Sequence, residues 1–346
     1  MIYIALGIFA GFFSFLRIFV RYKTEIIEFL LIFALIYLST FRSVYVGADT
    51  FTYTNFFKYS PNIFNFDAEY LSYLEPGFRV YMALVKSVSS NVEFFLFCSS
   101  VFCIIPMYWG VKRLKLNYSL MGLTVYLFIY FIPYALNGLR QAIAMGLFIL
   151  ALSFFNEKKN SIIIFLSLLA FSIHSSGMFI AFSYLLFVLD YRKSLGISLF
   201  SAFFMVFFSY YGLTDYFVFN VGGVDANVYT KKFDQATSFT QYAYRVLLLL
   251  LIGFFVFFEK NITLKKIFII YFFGFMLYFA LAKNNILATR FNMFFRILEI
   301  VLVPSILFGI NKTVIRFFVF IIFFVLFFWI YFVTSFLPDN IYQFQW

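Results

Sequence analysis

Residues 119–156, Ser119 to Asn156, read SLMGLTVYLFIYFIPYALNGLRQAIAMGLFILALSFFN. Two apolar runs, 119–136 and 142–156, flank one short polar cluster, Asn137-Gly138-Leu139-Arg140-Gln141. Each run approaches the roughly 20 residues that a helix needs to cross a bilayer. The stretch therefore reads as two membrane helices joined by a charged hinge. A guanidinium at membrane depth costs about 2.5–3.5 kcal/mol on insertion scales, so Arg140 asks for a ligand or a place at the water boundary.

The same pattern fills the rest of the chain. Of 346 residues, 64% are hydrophobic, 26% aromatic and 12% charged, the composition of an integral membrane protein. A soluble chain of this length would need a charged exterior that the sequence does not supply. Apolar runs near 2–20, 25–41, 92–111, 119–136, 142–156, 160–174, 177–190, 195–211, 242–258, 267–282, 291–310 and 317–337 predict an all-α polytopic bundle of about twelve transmembrane helices, within a range of about 10–14. The bundle forms one domain over 1–346. The first run is read as a retained helix and not a cleaved signal peptide, because Arg17 and Arg21 follow it rather than precede it.

Basic residues set the expected orientation, since short cytoplasmic loops are rich in Lys and Arg. Arg17/Arg21/Lys23, Lys112/Arg113/Lys115, Lys158/Lys159, Arg192/Lys193, Lys260/Lys265/Lys266 and Lys312/Arg316 all fall on one side if segment 77–90 does not cross. That side is read as cytoplasmic, with both termini outside. Segment 77–90 then reads as a re-entrant or interfacial helix within an outer loop, 42–91. A second long outer loop spans 211–241, where Tyr211, Tyr216 and Tyr229 are candidates to stack on sugars or to form an ordinary interface belt. Both loops carry acids: Asp49, Asp67, Glu69, Glu75 and Glu93 in and beside the first, Asp215, Asp225 and Asp234 in the second. The net charge of +11 is an inner-face effect matched to anionic membrane lipid, and nothing resembles a nucleic-acid-reading helix.

Cys98 and Cys103 lie within one span at a spacing that suits neither zinc nor redox chemistry, and read as packing residues. No CxxC, HExxH, P-loop or GxGxxG occurs, so no metal and no cofactor is expected. Any chemistry must use substrates that reach the membrane and carry their own energy.

The polar groups on the outer side are the candidates for a site. Asn137 and Arg140, three residues apart, are expected on one helix face, where with Gln141 they could grip a phosphate; the alternative is an arginine that snorkels to headgroups. His174, the only histidine, sits between Phe171-Ser172-Ile173 and Ser175-Ser176-Gly177 at the outer junction of two short spans. It can exchange a proton near neutral pH, or simply be a satisfied polar residue. The run Arg42-Ser-Val-Tyr-Val-Gly-Ala-Asp-Thr-Phe-Thr-Tyr53 mixes a guanidinium, a turn glycine and an acid, and reads as a cavity lip or a juxtamembrane anchor. Glu75-Pro76-Gly77 reads equally as a helix start. Arg290 opens a late span from the outside and is a second anion ligand; Arg245 is a weaker third; Arg296 and Glu299, one turn apart, read as a structural pair.

Taken in order, Phe41-Arg42-Ser43, Gly47-Ala48-Asp49-Thr50, Tyr53, Glu75-Pro76-Gly77-Phe78, Asn137 to Ala144, His174-Ser175-Ser176 and Arg290-Phe291 resemble the EpsG-like family of Wzy-type bacterial polysaccharide polymerases. The resemblance covers nearly the whole chain and is most specific over 41–53 and 137–176. It departs at Ala48, where the family pattern has Gly-Thr-Asp, but Asp49 stays in place. The resemblance implies a GT-C-like membrane glycosyltransferase in the bacterial inner membrane. It implies transfer of a growing glycan from undecaprenyl pyrophosphate to the non-reducing end of a new lipid-linked repeat unit on the periplasmic face, for O-antigen or capsule. The donor and acceptor glycolipids are then its partners, together with a chain-length regulator protein. In that chemistry Arg140 and Arg290, with Arg42 and Arg245 as further candidates, hold the pyrophosphate. His174 accepts the proton of the attacking hydroxyl or orients that hydroxyl, with Asp49 or Glu75 as rival bases. Asn137, Gln141 and Asp49 position sugar hydroxyls. The competing classes are a flippase for the same glycolipid, an O-antigen ligase and a membrane acyltransferase.

Overall fold

A computed structural model describes residues 1–20, 22–114, 119–211, 238–282 and 285–344. Arg21, Lys115, Asp215, Tyr216, Asp225, Tyr229 and Asp234, and with them most of the 211–241 loop, lie outside the described residues. The described chain is helical: α1 Ile2–Phe19, α2 Glu25–Thr40, α3 Thr50–Tyr59, α4 Pro76–Val88, α5 Val92–Arg113, α6 Ser119–Tyr126, α7 Leu139–Leu152, α8 Asn160–Ile173, α9 Met178–Val188, α10 Tyr191–Tyr210, α11 Phe239–Phe258, α12 Ile262–Ala280, α13 Asn285–Arg296, α14 Glu299–Gly309 and α15 Thr313–Ser335. Its sole strand-like feature among the described residues is an isolated bridge between Arg42 and Phe344.

Each apolar run read from the sequence carries a helix, and among the described residues these helices differ in length. Helices α1, α5, α11, α12 and α15 are long and apolar enough to cross a bilayer, which makes five. The pair Ala288–Arg296 and Glu299–Gly309, bent by 43°, makes a sixth if counted as one span. The stretches Ser119–Ala135, Leu139–Leu152, Asn160–Ile173 and Ser175–Val188 are apolar but shorter. Polar breaks at 137–138, 153–159 and 174 cut them below the length of a bilayer crossing.

Helix α6 runs on as a π-helix over Leu127–Ala135, buried almost throughout. Pro133 has no N–H to give to a regular ladder, and the wider turn lets the Leu136 N–H reach the Phe131 carbonyl at 3.1 Å. The π-helix packs on α15 through Phe128, whose ring is 5.2 Å from that of Tyr331.

The helices group into two compact units, Met1–Ala181 with Glu299–Trp346, and Phe182–Leu298. Within the first unit the two helix ends differ chemically. At one end the buried Glu28 carboxylate of α2 is met by Lys112 Nζ at 2.8 Å, the Tyr108 hydroxyl at 2.7 Å, the Ser119 hydroxyl at 2.5 Å and the Thr24 hydroxyl at 2.6 Å. Four donors satisfy a carboxylate that could not be buried alone. Arg113 pairs with Glu157 at the same end, and Lys159 joins that pair at 2.8 Å. The opposite end gathers the C-termini of α2, α8, α15 and the π-helix and the N-termini of α5 and α7, and holds the residues described next.

In the second unit α12 packs between α10 and α13. Phe182 of α9 also packs on Phe273 of α12, with ring centroids 4.6 Å apart.

Candidate functional site

The segment after α2 is fixed by Arg42, which is fully buried. Its guanidinium donates to the Ser39 carbonyl, to the Ser39 hydroxyl at 2.8 Å, to the Thr50 hydroxyl at 3.3 Å and to the Leu136 carbonyl at 3.3 Å. Burial pushes this group down to about 10, which leaves it a cation at neutral pH held by neutral acceptors. The Thr50 hydroxyl also reaches the Leu136 carbonyl, at 2.8 Å. Leu136 is the residue at which the π-helix stops, so Arg42 and Thr50 supply donors for a carbonyl that the helix end leaves open. Gly47 makes the intervening turn at φ +92, and a Cβ there would overlap the same Leu136 oxygen. The C-terminal tail closes over this turn: the Ser43 N–H bonds to the Gln343 carbonyl at 2.7 Å and the Gly47 N–H to the Asp339 carbonyl at 2.6 Å. Arg42 thus holds the turn from within.

With the turn pinned, Asp49 becomes the N-cap residue of α3 and sits half-buried with no side-chain cap bond. One turn further along α3, Tyr53 projects towards α7. Glu75 is the N-cap residue of α4, with Pro76 in the first helical position, where its missing N–H costs nothing. Gly77 lets α4 lie directly on the end of α8, because a Cβ there would collide with Ser172.

These elements converge on Arg140. Its guanidinium forms an ion pair with Glu75, both side chains being 22% exposed. Arg140 Nε lies 3.4 Å from the Tyr53 hydroxyl, and the guanidinium rests over the Tyr53 ring at 6.0 Å and the Phe78 ring at 5.9 Å. The other Glu75 oxygen accepts the Ser175 N–H at 3.1 Å. Glu75 therefore ties Arg140 to the turn that follows α8, and that turn begins with His174. The imidazole Nδ1 accepts the Ser176 N–H at 3.1 Å and lies 2.7 Å from the Ser176 hydroxyl. The result is a half-buried cation and carboxylate beside a histidine, framed by aromatic rings, at the end of the unit opposite Lys112 and Lys159.

The profile of the EpsG family matches residues 25–346, nearly the whole chain. The chain belongs to the EpsG family. No curated protein and no solved structure matches it. Family membership associates the chain with polysaccharide biosynthesis, and its long apolar helices make it a membrane protein.

The fold places Arg140, Glu75, Tyr53 and the His174 turn together, with Asp49 and Arg42 on the segment that leads to Tyr53. Asn137 is not on a shared face with Arg140. Helix α7 begins at Leu139 behind an N-cap Gly138, so Asn137 precedes the helix, and its amide donates to the Ile132 carbonyl at 2.9 Å and to Asn340 Oδ1 at 3.3 Å. Those bonds close the end of the π-helix. Gln141 is buried on α7.

Arg245 and Arg290 belong to the second unit. Arg245 is buried, bonds to Asn292, lies 3.5 Å from the Thr289 hydroxyl and rests 4.1 Å over the Tyr278 ring. Arg290 is an exposed residue of α13. Sequence reasoning assigned no role to Tyr53, Phe78 or Ser175, although each stands inside or beside a quoted motif. The closure by the C-terminal tail carried no local signal at all.

Proposed function

We propose that this EpsG-family protein is a polysaccharide polymerase that joins lipid-linked oligosaccharide repeat units at the outer face of a bacterial inner membrane. The observation that carries the reading is the convergence of Arg140, Glu75, Tyr53 and the His174 turn at the end of the bundle remote from Lys112, Arg113 and Lys159. Short cytoplasmic loops are rich in lysine and arginine, so this reading assigns the Lys112, Arg113 and Lys159 end to the cytoplasm and the converging residues to the periplasmic side.

The donor is a growing glycan on undecaprenyl pyrophosphate and the acceptor is a single lipid-linked unit. A hydroxyl at the non-reducing end of the acceptor attacks the anomeric carbon of the donor; the new glycosidic bond forms as the bond to pyrophosphate breaks. The leaving diphosphate takes both electrons of that bond, which is why no nucleotide or metal needs to supply energy. Arg140 neutralises the charge that builds on the diphosphate, with a fork geometry suited to two phosphate oxygens. Glu75 receives the hydroxyl proton. Diphosphate that draws Arg140 away frees the Glu75 oxygen that Arg140 held. Asp49 and Gln141 serve sugar hydroxyls, Arg42 and Asn137 hold the frame, and Arg290 and Arg245 give the second unit further anion ligands. A GT-C-like arrangement of the bundle belongs to the same proposal.

Deletion of the gene tests the class. Surface glycolipid reduced to a single repeat on its lipid core supports a polymerase. Loss of all repeats indicates a flippase or ligase, and intact chains that lack acyl groups indicate an acyltransferase.

A further inference from the structure

The turn His174-Ser175-Ser176-Gly177 fixes which ring nitrogen of His174 carries a proton. A backbone N–H only donates, and the Ser176 N–H points at Nδ1 from 3.1 Å. Nδ1 must therefore present its lone pair. The backbone around it is held as well: the His174 N–H bonds to the Ala170 carbonyl at 2.9 Å and the Gly177 N–H to the His174 carbonyl at 2.8 Å, so the donor cannot swing away without opening the end of α8. The Ser176 hydroxyl, 2.7 Å from Nδ1, is a second donor for the same lone pair. A neutral imidazole with Nδ1 accepting carries its proton on Nε2.

Such a ring is a poor general base. Its one lone pair is already engaged, and shifting the proton to Nδ1 to free Nε2 would set two N–H groups against each other. We propose that His174 acts as a hydrogen-bond donor through Nε2–H, directed at an anionic diphosphate oxygen of the glycolipid, and that Ser176 is the positioning residue that fixes this tautomer. The proposal rests on the polymerase reading for its ligand, and it reverses the role of proton acceptor expected of His174 from the sequence. It leaves proton acceptance to the carboxylate of Glu75, whose Ser175 contact keeps it beside the same turn.

Because the chain has one histidine, the ring can be read directly. The full-length protein, labelled with 15N at histidine and reconstituted in lipid bilayers at neutral pH, should show one protonated ring nitrogen, Nε2, and one unprotonated, Nδ1. A proton on Nδ1, alone or together with Nε2, overturns the assignment. This spectrum needs no turnover, so it stands or falls apart from the polymerase reading. The donor role has its own test in complementation of a deletion strain. His174→Gln places an amide N–H near Nε2, whereas His174→Asn reaches only the Nδ1 position. Long-chain polymer should persist in His174→Gln and fall on the order of a hundredfold in His174→Asn and His174→Ala. A His174→Gln variant as inactive as His174→Ala overturns the donor role.

Discussion

Glu75 and Arg140, 65 residues apart in sequence, meet as an ion pair, and the second oxygen of Glu75 holds the N–H of Ser175. One carboxylate thus joins the start of α7 to the turn after α8. Its charge and its shape can be separated. Glu75→Gln keeps an acceptor for Ser175 and removes the partner of Arg140 and the proposed base. Long-chain polymer, read on a gel, should fall on the order of a hundredfold while the membrane level of the protein is unchanged. Wild-type chain lengths would remove Glu75 from the mechanism.

Tyr53 offers a graded case. Tyr53→Phe deletes one hydroxyl 3.4 Å from Arg140 Nε but keeps the ring under the guanidinium. A hydrogen bond from a charged group is worth about 1.5–3 kcal/mol and this one is long, so polymer yield should drop on the order of tenfold. Tyr53→Ala also removes the ring that packs on Phe78 and should cost much more. Equal losses in the two variants would show that the hydroxyl itself does chemistry.

Arg42 should behave as a structural residue. Arg42→Met leaves the Ser39 carbonyl without its buried donor and takes one of two donors from the Leu136 carbonyl, at a cost of about 1–3 kcal/mol for a group left unpaired. The expected outcome is a lower melting temperature in detergent and less folded protein in the membrane. Gly47→Ala should act through the same turn, since its φ is left-handed and its Cβ would overlap Leu136. An Arg42→Met protein that melts like wild type yet makes no polymer would instead make Arg42 a substrate ligand.

At the far end of the bundle, Arg113 and Glu157 form a partly exposed ion pair. Exposed pairs contribute about 0.2–1 kcal/mol. Glu157→Ala should leave both chain length and melting temperature within error of wild type. A shortened polymer in that variant would argue against a site confined to the opposite end.

The positions of the helices were legible in the sequence because bilayer length leaves a plain mark on composition. Their lengths were less so, because the polar breaks that bound α7 and α8 are also what build the site. The motifs around Arg42, Glu75, Arg140 and His174 stood out as charges in apolar surroundings, which is the signal that membrane chemistry provides. What joins them was hidden. Asn137 looked like a helix-face partner of Arg140 by spacing alone, but the π-helix shifts the register and Gly138 restarts the chain, so its amide serves the helix end. The hold of Asp339 and Gln343 on the 43–47 turn arises from long-range backbone hydrogen bonds, which no local pattern encodes. The tautomer of His174 likewise depends on a backbone N–H that only a folded turn aims.

The central claim is that the Arg140 and Glu75 centre polymerises lipid-linked repeat units. Purified protein in liposomes, given undecaprenyl-pyrophosphate-linked repeat units, should convert them to a ladder of longer glycans with release of undecaprenyl pyrophosphate, and Arg140→Ala should leave single units unchanged. Failure of the wild-type protein to make a ladder, or an undiminished ladder from Arg140→Ala, would contradict it.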